Sequence, residues 1–198
     1  MRLMNYAPSM KNYEEAIRRL RDAGIEIFST VSATSADIAA IEARLGVSLP
    51  LSYRAMLSQF GIMSFEGIEV YGWTPSGVDG KSIPNVVFAT EEDRKKGLIS
   101  DQMVDFMVAG YGPTFVLDCA ETGTDGEAPV YEIPAGGIKH GKDRLADSFG
   151  AFLLKEVERV VQDLRSEQAA ASAGEDVGNE TSRKWMADYW KQRAKDFE

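Results

Sequence analysis

The chain has one cysteine and one histidine in 198 residues. A lone Cys119 excludes an internal disulfide and favours a reducing compartment. The sequence also lacks a long apolar run. Nothing approaches the ~20 consecutive apolar residues that cross a bilayer, and residues 1–24 are broken by charge, unlike a secretory signal. The expectation is a cytoplasmic protein that does not enter a membrane. Positive charge is scarce as well: 22 Lys and Arg stand against 31 Asp and Glu, for a formal net charge of −9. Such a field repels nucleic acid and attracts basic partners. There is no internal repeat and no regular strand–helix alternation, which argues against a parallel α/β fold.

What is present is helical punctuation. Residues 9–22 place Met10, Tyr13, Ile17 and Leu20 on one helical face, and Gly24 ends the pattern. Residues 25–31 alternate as a short strand would. Thr34 and Asp37 fit a capping box, in which each side chain satisfies a free N–H at a helix start. Ile38, Ile41 and Leu45 follow at helical spacing, and Gly46 suits a left-handed stop. Pro50 opens another helix with Tyr53, Leu57 and Phe60 as its stripe, ended by Gly61. Residues 68–71 read as a strand and 74–84 as a loop, and 86–89 as an extended segment. Thr90 is read as the cap of a short charged helix. Strands are expected over 103–109, 114–119 and 130–133, a turn over 122–126, and a loop or small hairpin over 136–143. Ser148 then caps a long helix with Phe149, Phe152, Leu153, Val157, Val160 and Leu164 along one side. Beyond Arg165 the composition turns to Ala, Ser, Gly and acid. A linker and an amphipathic helix with Trp185, Tyr189 and Trp190 are expected there.

Three segments in this order resemble the SUKH superfamily, which includes bacterial immunity proteins and a fungal regulator of cell-wall glucan synthesis. The first is an I..IE..LG pattern at Ile38, Ile41, Glu42, Leu45 and Gly46, followed by LP..Y...L at Leu49, Pro50, Tyr53 and Leu57, then Gly61. The second is TFVLDC…DGEAPVYEI over 114–133, and the third is DSFGAFL over 147–153. The resemblance implies an α+β fold, a curved antiparallel sheet flanked by helices. The expected organisation is an N-terminal helix and strand extension over 1–33, a SUKH-like domain over 34–165, and a linker with a C-terminal helix over 166–198.

Catalytic candidates are thin. The acidic run 118–127 does not have the alternating ligands, central glycine and terminal glutamate of an EF-hand loop, and Thr124, Asp125 and Gly126 also make an ordinary turn. His140 sits in a glycine-flanked loop without a second positioned group. Cys119 has no matching base. Residues 77–81, GVDGK, lack phosphate-loop spacing. The reading is therefore non-enzymatic, with no metal and no cofactor. The resemblance implies an immunity protein that neutralises a cognate toxin, often a nuclease, by covering its active site. A regulatory or scaffold module for endogenous proteins is the alternative, and a hydrolase using the acidic cluster a weaker one.

The acidic residues nominate the contact surface. Between 117 and 133, and between 61 and 80, there is no Lys or Arg. Glu66, Glu69, Asp79, Asp118, Glu121, Asp125 and Glu127 are the expected acidic contributors toward a toxin with a basic face, with Tyr71 and Trp73 as aromatic anchors.

Overall fold

The computed structural model describes residues 8–108 and 112–172. Among the described residues, five helices and two antiparallel sheets make an α+β fold. Helix α1 (Pro8–Asp22) is followed by α2 (Ser35–Leu45) and α3 (Leu51–Phe60), a hairpin of β1 (Met63–Phe65) and β2 (Ile68–Val70), and α4 (Val86–Lys95). A four-stranded meander comes next: β3 (Met103–Val108), β4 (Thr114–Asp118), β5 (Val130–Ile133) and β6 (Asp143–Ala146), each strand antiparallel to its neighbour. Helix α5 (Phe149–Ser172) closes the described chain.

The expected punctuation has direct physical form. The Thr34 hydroxyl accepts from the Asp37 N–H (3.2 Å) and the Asp37 carboxylate accepts from the Thr34 N–H (2.8 Å). Gly46 takes a φ of 68°, which costs glycine little. Glu42 accepts from the Leu49 N–H (2.7 Å) and pairs with Arg54, so one carboxylate fixes the α2–α3 connection. Tyr53 is fully buried and donates to the Tyr71 carbonyl (2.7 Å), tying α3 to the end of β2. A Cβ at Gly72 would collide with the Gly61 carbonyl oxygen, and one at Gly61 with the Val31 carbonyl, so the backbones cross where only glycine fits.

The sheet has two faces, because successive side chains alternate. Val104, Phe106, Phe115, Leu117 and Val130 point to the main core, where Tyr53, Phe106, Phe149 and Phe152 meet edge to face or tilted at 5.2–6.2 Å between rings. Met103, Val116, Tyr131 and Ile133 form a smaller cluster on the other face with Ile99. The motif strands pair as expected, Leu117 opposite Val130 and Phe115 opposite Glu132. Helix α1 lies along α5, and Gly150 lets the Ser9 carbonyl approach where a side chain would clash.

Several expectations change. Residues 25–31 make a single bridge, Phe28 to Ser64, in place of a strand. Residues 86–89 are the first turn of α4 and not extended. The cap is Asn85, whose Oδ1 accepts from the N–H groups of Val87 and Phe88 (both 3.1 Å). Thr90 is buried within that helix and is no cap. Strand β6 replaces the end of the expected loop, and α5 continues to Ser172, past the last residue of its apolar stripe. The expected aromatic helix with Trp185, Tyr189 and Trp190 lies outside the described residues.

Candidate interaction sites

The nominated acids divide into three environments. Glu66, at the β1–β2 tip with a φ of 42°, is exposed, as are Asp79, Glu121 and Asp125. Asp79 is 3.5 Å from Arg44, with 82% of its side chain exposed. Asp125 Oδ1 accepts from the Glu127 N–H (3.2 Å), at the end of the turn expected over 122–126. Glu69 is half-buried in a groove of about 450 Å³ that also touches Glu132, Lys155, Glu156 and Arg159. Trp73 is half-buried against the core.

Tyr71, Asp118 and Glu127 are buried, so the exposure assumed for them from charge and pattern is corrected. Tyr71 lies behind the sheet edge, its N–H donating to the Phe106 carbonyl (2.8 Å). Glu127 accepts from the Ser52 N–H (2.9 Å) and hydroxyl (2.8 Å). It supplies from a distant loop the cap that Pro50 cannot give α3, and its negative charge suits the helix N-terminus. The same Ser52 hydroxyl accepts from the Gly150 N–H (3.1 Å), locking α3 to the start of α5.

Asp118 belongs to a closed ionic network. Lys142 Nζ reaches Asp118 Oδ2 (2.7 Å) and Glu121 Oε1 (2.6 Å), and sits 3.9 Å from the centre of the Tyr131 ring. The Tyr131 hydroxyl donates to Glu121 Oε2 (2.8 Å). Burial works against the Lys142 ammonium, but its two carboxylate partners outweigh it and raise its pKa. Hydrogen bonds from Lys142 and Tyr131 lower that of Glu121. Two of the seven nominated acids are thus neutralised by a lysine twenty-odd residues further along the chain.

A residue that sequence reasoning passed over is the most unusual carboxylate described. Asp105 sits mid-strand in MVDFMV, 5% exposed, and faces α4 from the side of the sheet away from the main core. Its N–H donates to the Thr90 hydroxyl (3.1 Å), and its carboxyl accepts from the backbone N–H of Met107 across a β-bulge. Oδ1 has no hydrogen-bond partner among the described residues. Leaving such an atom buried costs about 1–3 kcal/mol. Burial, then the neighbouring Asp93 carboxylate, pushes the Asp105 pKa far above the usual carboxylate range. Burial likewise raises that of Asp93, whose Oδ2 lies 3.5 Å from the Thr114 hydroxyl. The sequence signal was there: an acid inside an otherwise apolar strand.

Asp105 and Asp93 line a cleft of about 250 Å³ between α4, β3 and the start of β4. Ile83 and Val108, 39% and 46% exposed, are at its wall, as are Leu98, Glu92 and Lys96. No three His, Cys, Asp or Glu among the described residues converge as a metal site. The Cys119 thiol is pushed up to about 12, mainly by burial and then by Asp118, which keeps it protonated and poorly nucleophilic. No described helix is long and apolar enough to cross a membrane.

Comparison with known proteins agrees with the motif order. The family model SUKH_6, described as SMI1-KNR4 cell-wall, matches residues 35–153, from the start of α2 into α5. No curated protein matches the chain.

Proposed function

The chain belongs to the SMI1-KNR4 family of the SUKH superfamily, and from that premise we propose that it is a non-enzymatic binding protein of the immunity type, which neutralises a cognate toxin by covering its active site. The family supports a protein-interaction role; the toxin is our own reading. The observation that carries it is the cleft beside α4. Ile83 and Val108 stand exposed at a cleft also lined by Asp105, a buried carboxyl whose Oδ1 has no partner among the described residues; such an atom costs the isolated fold stability, and a docked partner that reached it would offset that cost. The net charge of −9 adds long-range attraction to a basic toxin face, and so speeds encounter at low salt. A standard interface of ~1,600 Å² is enough to close a toxin active site.

Co-expression with the toxic domain encoded beside this gene tests the reading. The expected outcome is rescued growth and a 1:1 complex on a sizing column. Unchanged killing without a complex rejects the role for that pair. Charge reversal belongs at the exposed acids Glu66, Asp79 and Asp125. At Asp118 it would break the Lys142 network and confuse folding with binding.

A further inference from the structure

We propose that the cleft beside α4 receives a lysine side chain of the protein partner, with its alkyl stem against Ile83, Leu98 and Val108 and its ammonium on Asp105. This rests on the binding-protein reading above and names the group that the site takes. Size comes first. At about 250 Å³ the cleft falls below the ~300–1,000 Å³ of drug-sized ligand sites and suits one side chain. Polarity agrees, since the exposed apolar side chains Ile83 and Val108 share the lining with Asp105, whose buried Oδ1 has no hydrogen-bond partner among the described residues. A lysine has the matching order, an apolar four-carbon stem and then a compact charge. An arginine fork asks for two acceptors, whereas Asp105 offers one bare oxygen.

Charge agrees too. Among the described residues, Glu92, Asp93 and Asp105 line the cleft against one cation, Lys96, whose ammonium already lies 3.9 Å from Glu92. Among the described residues, Tyr71 on the cleft wall and Tyr53 across the strand also stand toward Asp105. Burial, then Asp93, disfavours the Asp105 anion and raises its pKa. An arriving ammonium favours the anion and so opposes that shift.

The test is an NMR titration of the full-length protein with n-butylammonium, n-butylguanidinium and n-butanol at matched ionic strength. The expected result is a saturable shift of the Asp105, Val108 and Thr114 amides with n-butylammonium in the millimolar range. Affinity should fall at least tenfold in Asp105→Asn and a few-fold in Ile83→Ser, an exposed position whose change spares the core. Non-saturating shifts, or equal affinity in Asp105→Asn, overturn the site. Equal affinity for n-butylguanidinium overturns the choice of lysine, and equal affinity for n-butanol overturns the role of charge. Toxin rescue by a protein that fails this titration removes the cleft proposal and leaves the immunity reading standing.

Discussion

Asp105 and Asp118 stand on neighbouring strands, are 5% and 4% exposed, and live in opposite surroundings. Asp118 ends β4 with Lys142 on one oxygen and the Ala120 N–H on the other. Asp105 interrupts an apolar strand, keeps one oxygen bare and has another carboxylate, Asp93, as its electrostatic neighbour. The first arrangement is self-sufficient: a buried charge with its partner and hydrogen bonds holds loop to sheet. The second is unfinished among the described residues. Equal burial therefore says little about the role of a carboxylate; whether its lone pairs are used says much more.

The contrast is sharpest under mutation. Lys142→Met should strand Asp118 and destabilise the fold by about 2–4 kcal/mol, at the low end for a broken buried pair because Lys142 is itself part-exposed. Urea unfolding measures it, and a loss under ~0.5 kcal/mol would remove the network from the scaffold.

Asp105→Asn should do the opposite and stabilise the protein at neutral pH, because the neutral amide avoids the cost of burying or protonating a carboxylate. Its raised folded pKa means that the native state holds an extra proton above the unfolded carboxylate pKa, so wild-type stability falls as pH rises through that window. The advantage of the variant should shrink below about pH 4. Melting curves of both proteins between neutral and acid pH check the sign, and a variant less stable than wild type at pH 7 contradicts it.

Glu127→Ala removes the cap on α3 and should cost about 1–2 kcal/mol. Hydrogen exchange at the first turn of α3 should rise with it. Asp79→Lys should change stability by less than ~0.5 kcal/mol, since the residue is exposed and its contact with Arg44 is long. If the acidic face steers the partner, the association rate drops several-fold at low salt. An unchanged rate clears Asp79 of that task.

The elements that local chemistry controls were readable in advance. The Thr34–Asp37 box, the Gly46 stop and the α3 stripe are short-range patterns, and they form as written. The β4–β5 pairing followed from motif order. The misread start of α4 has a local cause too, because Val86 and Val87 suggest extension and the deciding residue is Asn85 as cap. The contact surface was less legible. Charge and turn residues nominated Asp118 and Glu127 as exposed, but Lys142 and Ser52 claim them from far along the chain. Asp105 carried a signal, an acid inside an apolar strand, but its cleft was not legible because α4 and the start of β4 build it from outside that strand.

The sequence by itself determined the helix boundaries set by caps and stops, the α+β class, the acidic balance and the family. Tertiary structure decided which carboxylates are spent and which are left over, because partners such as Ser52, Lys142 and Asp93 arrive by chain folding and not by spacing. A carboxylate's role depends on the charges and donors within a few ångströms of it, and only the packed chain fixes those.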